Sequence, residues 1–157
     1  MAANHLIVVG IDGSDGGRRA LDWAVGETAT RGGAVQAVIA WTWDGIESGP
    51  ATPTNPADAR ARAAAILDRE VASVRARRGS SFPLATDVVA GRPADVLAAA
   101  SRTADLLVLG SHGHGRVRHT VLGSVSEECV RKAACPVVVI PVPAPAPSGT
   151  AEPAIRA

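Results

Sequence analysis

The sequence is poor in aromatic residues, and this scarcity limits how its core can be built. Aromatic residues make up 3% of the 157 residues, with one Phe and no Tyr. The core must therefore consist mainly of Val, Leu, Ile and Ala, which the hydrophobic content of 46% can supply. We expect a chain of this length and content to form one domain with a buried core.

The chain also has no large excess of positive or negative charge. Sixteen basic and 15 acidic residues give a formal net charge of +1. A protein that binds nucleic acid through a basic face usually has a larger imbalance, so we expect no nucleic-acid partner. No apolar run approaches the roughly 20 residues of a membrane-spanning helix. The N-terminal stretch "MAANHLIVVGID" lacks the basic leader of a signal peptide, so we expect no membrane association.

Cysteine is nearly absent, with only Cys129 and Cys135 in the chain. Two cysteines in a chain of this size, without a secretion signal, indicate reduced thiols and not a disulfide framework. We expect both to be small buried apolar residues. This cysteine usage predicts a cytoplasmic protein.

Apolar runs and amphipathic segments alternate strictly along the chain. The first run, "HLIVVGI", is apolar at successive positions, as expected of a strand buried on both faces of a parallel sheet. Ser14 is a suitable N-cap for the helix that follows, and Gly32 and Gly33 end that helix. The alternation predicts an α/β domain with an open parallel sheet and helices on both faces. We expect strands at 5–11, 34–41, 84–90, 105–110 and 136–142, and helices at 15–31, 56–78, 93–101 and 124–134.

The last part of the chain, residues 143–157, has a different composition. It is rich in Pro and Ala and low in bulky apolar residues. This composition predicts a disordered tail, because it offers too little apolar surface to bury. The folded domain is therefore expected to cover residues 1–142.

Two glycine-rich breaks follow predicted strands: "GIDGSDGG" after the first and "GSHGHG" after the fourth. In open parallel sheets, ligands bind beyond the carboxyl ends of the strands, where the strand order reverses. If the first and fourth strands are neighbours, Asp12 and Gly110 face each other across such a crevice.

The stretch "GSHGHGRVRHTVLGSVS", residues 110–126, favours an anionic ligand. Glycines let the backbone approach a ligand closely, and the amides of such turns form anion-binding concavities. The helix expected from Ser124 adds free N–H groups, and Ser126 adds a second hydroxyl. The stretch is not a P-loop, since Lys132 is the only lysine. It is not the dinucleotide fingerprint either, because Arg118 stands where the third glycine belongs.

Histidines in the same stretch raise the alternative of a metal site. His112, His114 and His119 have no recognisable fourth ligand nearby, so we expect no metal bound by the protein. Arg116 and Arg118 could contact phosphate or be solvated, and the sequence leaves this open. Near the expected phosphates there is no obvious nucleophile or general base, and "GSVSE" is not a G-x-S-x-G elbow. We therefore expect no catalytic residues.

The spacing of this stretch resembles the universal stress protein family. The family motif G-x2-G-x9-G-[ST] is met by Gly110, Gly113, Gly123 and Ser124, and Ser126 matches a further hydroxyl position. "VVGIDGS" and "ACPVVVIPV" are similar to the family's first and last strands. Some ATP-binding members have Pro two residues before the Asp, where this chain has Gly10.

The resemblance implies a Rossmann-like five-stranded sheet in the order 3-2-1-4-5 and ATP bound in the crevice, with Mg²⁺ carried by the nucleotide. It implies phosphate contacts at the motif glycines and serines, ribose or adenine contacts at Asp12, and backbone near Ala40 and Leu109 beside the base. It also implies a homodimer through the edge strand between Val137 and Val142. The expected nucleotide-binding residues are Gly10, Ile11, Asp12, Ala40, Leu109, Gly110, His112, Gly113, Gly123, Ser124, Val125 and Ser126.

These inferences predict an ATP-binding protein of stress response or signalling, and not an enzyme. ATP is expected to order the loop 113–122, whose state an unknown protein partner would recognise. Two alternatives remain open at this point: a dimeric adaptor of the same fold that binds no nucleotide, and a slow ATPase.

Overall fold

A computed structural model describes residues 5–45, 55–114 and 122–143. Its five strands are parallel and lie in the order β3-β2-β1-β4-β5, so the predicted fold is confirmed. The elements are β1 (Leu6–Ile11), α1 (Asp15–Arg31), β2 (Ala34–Trp41), α2 (Pro56–Arg78), β3 (Leu84–Ala90), α3 (Pro93–Ser101), β4 (Leu106–Gly110), α4 (Ser124–Lys132) and β5 (Val137–Ile140).

The ends of the first two helices follow local sequence signals. The Ser14 side chain caps α1 by accepting a hydrogen bond from the N–H of Gly17. Gly32 ends α1 with a φ of 79°, in the left-handed region that favours glycine. Asn55 caps α2 in the same way by accepting from the N–H of Asp58. Sequence reasoning predicted these helix ends because capping depends on residues close in the chain.

The last two elements are shorter than predicted. α4 ends at Lys132, two residues early, because Ala133 already has an extended backbone and the N–H of Ala134 donates to the Ser101 hydroxyl. β5 ends at Ile140, so the expected edge strand does not reach Val142. Pro141 follows Ile140, and a proline has no N–H with which to continue a ladder.

The core lies on both faces of the sheet. β1 shows this best, since its three central residues are fully buried. Ile7 and Val9 pack with residues of α1 and α2, whereas Val8 packs with residues of α3 and with Cys129 of α4. The two helix layers therefore cover opposite faces, as the uninterrupted apolar run of β1 predicted.

The first turn of α1 packs directly on the end of β4. A β-carbon added to Gly110 would lie 2.5 Å from the carbonyl carbon of Gly16. β1 and β4 are paired neighbours, with Ile7 opposite Leu106 and Val9 opposite Val108. The carboxyl ends of these strands and the starts of their helices therefore meet at one place.

Some predictions concern residues that the structure does not describe. Arg116, Arg118 and His119 lie outside the described residues, as does the predicted tail apart from Pro143. Within the three described ranges, no helix has the length and apolarity needed to cross a membrane.

Candidate functional site

A crevice of about 510 Å³ opens at the carboxyl ends of β1 and β4. The strand order reverses here, as the position of a ligand site in an open parallel sheet requires. Every residue that the sequence analysis expected to contact nucleotide lines this crevice. These residues are Gly10, Ile11, Asp12, Ala40, Leu109, Gly110, His112, Gly113, Gly123, Ser124, Val125 and Ser126.

One end of the crevice is apolar. Besides Ala40 and Leu109, it is lined by Val38, Pro93 and Leu97, which the sequence analysis did not single out. Val38 could have been found, because it lies two residues before Ala40 and so on the same face of β2. Pro93 and Leu97 carried no such signal, since α3 reaches the crevice only through tertiary packing.

Gly10 determines how closely this apolar end packs. A β-carbon at Gly10 would lie 2.8 Å from Cδ2 of Leu109 and 2.9 Å from Cδ1 of Leu97. The two leucines can therefore close over the strand only because residue 10 has no side chain. This is the position where some ATP-binding family members have Pro, so the apolar end here has its own shape.

One carboxylate oxygen of Asp12 is hydrogen-bonded within the turn that follows β1. Its Oδ1 accepts hydrogen bonds from the N–H of Ser14, at 2.9 Å, and from the Ser14 hydroxyl. The Ser14 Oγ in turn accepts from the N–H of Gly17 at 3.2 Å. The other oxygen faces the loop after β4, since a β-carbon at Gly113 would lie 2.6 Å from Oδ2. Oδ2 is therefore the oxygen that Asp12 can present to a ligand.

Two of the histidines hold the start of the loop after β4 in place. Nε2 of His114 donates to the carbonyl oxygen of Asp12 at 2.6 Å and so joins the two turns across the crevice. Nδ1 of His112 lies 3.1 Å from the Ser111 hydroxyl, which also accepts from the N–H of Val142. In the part of the chain that the structure describes, no three His, Cys, Asp or Glu side chains are grouped to hold a metal ion.

The N-terminus of α4 lines the crevice on the β4 side of β1, whereas the apolar residues of β2 lie on the other side of β1. Gly123 is its N-cap, and no side-chain cap is present among the described residues. The first helical bond runs from the N–H of Glu127 to the carbonyl oxygen of Gly123 at 2.9 Å. The N–H groups of Ser124, Val125 and Ser126 therefore have no acceptor within the helix. They carry the partial positive charge of a helix N-terminus.

The two serines of this turn differ. Ser126 is buried, and its hydroxyl donates to the carbonyl oxygen of Gly110 at 2.6 Å. Its hydroxyl proton therefore ties α4 to β4, which leaves its N–H as the group that can donate to an anion. Ser124 is exposed at the helix start, so its hydroxyl is accessible from the crevice.

The charges around the crevice are mostly negative. Asp12 and Glu127 contribute carboxylates to its lining, and none of the described lining residues is Lys or Arg. Two nearby cations, at the N-cap of α3 and in the last turn of α4, are already paired with Glu128. Arg92 lies 3.2 Å from Glu128, and Lys132 lies 2.6 Å from the same carboxylate. The described lining residues therefore offer an anion hydrogen-bond donors but no lysine or arginine, and a cation that the anion brings could add positive charge.

Three residues outside the crevice lining, Trp41, Cys129 and Cys135, belong to the packing around the sheet. Trp41 packs against the core on the α1 and α2 side of the sheet. Cys129 is fully buried, as expected, and burial raises the pKa of its thiol to about 11. Cys135 is only half-buried. A buried thiol with a raised pKa is a packing residue and not a nucleophile.

Comparison with known proteins supports the family resemblance that the glycine motif indicated. A model of the universal stress protein family matches residues 4–141. The chain belongs to the universal stress protein family. The resemblance that the glycine spacing indicated is thus confirmed for nearly the whole folded part of the chain.

Individual members of the family are similar over most of the chain. Universal stress protein Rv2624c of Mycobacterium tuberculosis is 34% identical over 138 residues, which covers 85% of this chain and 47% of that protein. The chain spans about half the length of the curated relatives that it matches.

Solved structures of universal stress proteins share the fold. One, crystallised in complex with cAMP, has a TM-score of 0.66 and 27% identity, covering 88% of this chain and 97% of that one. Another, from Burkholderia pseudomallei, has a TM-score of 0.65 and 29% identity, again covering 88% and 97% of the two chains.

Proposed function

We propose that this protein binds an adenine nucleotide, ATP with its Mg²⁺, in the crevice between β1 and β4, and acts as a nucleotide-dependent protein of stress response or signalling. The observation that carries the proposal is the composition of the crevice. It combines an apolar end with an uncapped helix N-terminus in a single space of about 510 Å³. The similar universal stress protein that was crystallised with cAMP supports the choice of an adenine nucleotide.

The apolar end suits a purine base. Val38, Ala40, Leu97 and Leu109 line it, and burying an apolar ring against such side chains releases water from both surfaces. Oδ2 of Asp12, which also lines the crevice, faces the loop after β4. It is a hydrogen-bond acceptor suited to a ribose hydroxyl or to the amino group of the base.

The other end suits phosphate. The N–H groups of Ser124, Val125 and Ser126 and the Ser124 hydroxyl are donors at a helix N-terminus. Gly113 and Gly123 let the backbone approach the ligand without a side chain between them. The carboxylates of the lining fit Mg²⁺ that arrives with the nucleotide, because this cation prefers oxygen ligands from phosphate, carboxylate and water. When bound, Mg²⁺ would neutralise phosphate charge.

The proposal is tested by titrating ATP into the protein by isothermal calorimetry. We expect saturable binding to the wild type and about tenfold weaker binding to Gly113→Ala, because the added carbon would overlap Oδ2 of Asp12. Gly26→Ala is the matched control, since its new carbon would meet only the guanidinium of Arg78 on the α1–α2 side. No binding of ATP, ADP, AMP or cAMP to the wild type would refute the proposal and favour the adaptor.

The slow ATPase is the second alternative, and Asp12 is the only carboxylate of the β1 turn that could serve it. We propose that hydrolysis is incidental, because Oδ1 of Asp12 accepts hydrogen bonds from Ser14 and Oδ2 is the oxygen that we assign to the ribose or the base. Multiple-turnover release of phosphate that disappears in Asp12→Asn would show instead that the protein is an enzyme.

We further propose that the protein forms a homodimer through β5. The carbonyls of Pro136 and Ile140 accept from Leu107 and Ser111 on the β4 side, so the backbone of Val139 points to the open edge. Val139→Pro would remove an outward N–H and leave the β4 ladder intact. We expect light scattering to give a dimer for the wild type and a monomer for this variant; a monomeric wild type would contradict the proposal.

The proposed compartment is the cytoplasm. Both cysteines are free thiols, which fits a reducing environment. The protein that would respond to the nucleotide-bound state remains to be found, for example by capture with and without ATP.

A further inference from the structure

Glu127 is the feature of the crevice that nucleotide binding by itself does not explain. It lies in the first turn of α4, is exposed and contributes to the lining. On a helix, residues three and four apart are neighbours, so Glu127 lies one turn above Ser124 and Gly123. Helical side chains also tilt toward the N-terminus, which brings this carboxylate toward the free N–H groups.

The carboxylate of Glu127 is not neutralised by any described side chain. It forms no hydrogen bond or ion pair with the side chains of residues 5–45, 55–114 or 122–143. The next residue, Glu128, shows the opposite situation. Its carboxylate contacts Arg92 and Lys132, and the hydrogen bond from Lys132 lowers its pKa. Of these two adjacent glutamates, Glu128 is therefore neutralised by cations, whereas Glu127 has no cation partner among the described residues.

A ligand phosphate at the N–H groups of Ser124 to Ser126 would come close to the carboxylate of Glu127. Each added phosphate increases the repulsion, and Asp12 adds a second carboxylate to the lining. None of the described lining residues is a Lys or Arg that could offset it. A divalent cation can relieve this repulsion, because it binds phosphate and carboxylate oxygens together.

We propose that Glu127 is a specificity-determining residue that makes the binding of polyphosphate nucleotides depend on a divalent cation. A nucleoside monophosphate, with less charge, binds with little dependence on the cation. Metal-free ATP is rejected, and the protein responds to MgATP or to a monophosphate. This inference rests on the proposed nucleotide site and names the residue that selects among its ligands.

The test is a set of calorimetric titrations of the full chain with ATP and AMP, each with excess Mg²⁺ and with EDTA. In the wild type, EDTA is expected to weaken ATP binding by about tenfold or more and AMP binding by less than about threefold. In Glu127→Gln, metal-free ATP is expected to bind about five to ten times more tightly than in the wild type. AMP affinity in this variant should stay nearly unchanged.

Glu128→Gln is the matched control, because it removes the same charge from the neighbouring position but outside the crevice lining. Its ATP affinity in EDTA should equal that of the wild type. Equal dependence on Mg²⁺ in the wild type and in Glu127→Gln would overturn the role of Glu127 and leave the nucleotide site intact. Absence of binding to any nucleotide would instead refute the proposed function. Thermal unfolding of each variant confirms that it is folded.

Discussion

The turn after β1 and the loop after β4 lie at the same edge of the sheet, and each leads into a helix. Among the described residues, only the turn after β1 supplies a side chain that caps its own helix. Ser14 caps α1 and is itself held by Asp12. The N-cap of α4 is Gly123, which has no side chain with which to cap the helix. The N–H groups at a helix N-terminus can donate hydrogen bonds to a ligand when no capping side chain accepts from them.

Glycine has a different use in each of the two turns. In the first turn, Gly16 lets α1 pack on the backbone of Gly110. In the second, Gly113 leaves space for Oδ2 of Asp12, and Gly123 leaves the helix start open. The first use stabilises the fold, and the second shapes the crevice. Substitutions at the contact between the two turns should therefore lower mainly the free energy of unfolding, and substitutions at the start of α4 should lower mainly the affinity for ATP.

The largest effect is expected from Gly110→Ala, which would force the two turns apart. Its β-carbon would lie 2.5 Å from the backbone of Gly16, and neither backbone can move aside as a flexible side chain can. We expect a loss of about 3 kcal/mol in the free energy of unfolding, measured by urea denaturation. Gly26→Ala should change this free energy by less than about 1 kcal/mol. Similar stability of the two variants would show that the glycine contact is not needed.

The next effect is expected from Gly123→Ser, which would give α4 the kind of cap that α1 already has. The backbone of Gly123, with φ −70° and ψ 167°, suits a serine N-cap. The new side chain would compete with phosphate for the N–H groups, so we expect about tenfold weaker ATP binding. Stability should change by no more than about 1 kcal/mol, because the new cap offsets a tight contact with Ser111. Undiminished affinity would argue against phosphate at this helix.

Ser14→Ala makes the reverse change by removing the cap of α1. The variant loses the bond from the N–H of Gly17 and the hydroxyl contact with Asp12. We expect the free energy of unfolding to fall by about 1 kcal/mol. ATP affinity should fall less than in Gly123→Ser. A larger loss of affinity than of stability would mean that the β1 turn, and not α4, dominates binding.

The smallest effect is expected at an ion pair remote from both turns, where Arg78 lies 2.9 Å from Asp22. The hydrogen bond from Arg78 lowers the pKa of the Asp22 carboxyl. A lowered pKa stabilises the folded state above the unfolded value and loses this effect as pH falls through the folded value. Asp22→Asn should therefore cost about 0.5 kcal/mol at pH 7, since the pair is partly exposed.

As the pH falls from 7 to about 2, below the unfolded aspartate pKa of about 3.9 and through the lowered folded pKa, the wild type and Asp22→Asn should become similar in stability. Urea denaturation at both pH values measures the difference. A difference that grows on acidification would contradict the assigned cause of the pKa shift.

Much of the fold could be predicted from the sequence because its signals are local. The caps at Ser14 and Asn55 and the glycine at the end of α1 involve residues a few positions apart. The continuous apolar run of β1 indicates burial on both faces, and strict alternation of strands and helices leaves few topologies. Two element ends were predicted wrongly. α4 ends early because the N–H of Ala134 donates to the distant Ser101 hydroxyl, and β5 ends early because Pro141 cannot continue the ladder.

The secondary-structure elements, the glycine spacing and hence the family could be predicted without a structure, because these depend on neighbours along the chain. The contacts of the crevice residues, in contrast, depend on tertiary packing. It turned the Ser126 hydroxyl toward Gly110, and it brought Leu97 of α3 to the crevice. It also paired Glu128 with two cations and left Glu127 without a side-chain partner in the described ranges. The physical reason is that hydrogen bonds, burial and charge compensation depend on atoms distant in the chain, whose positions are set only when the helices pack on the sheet.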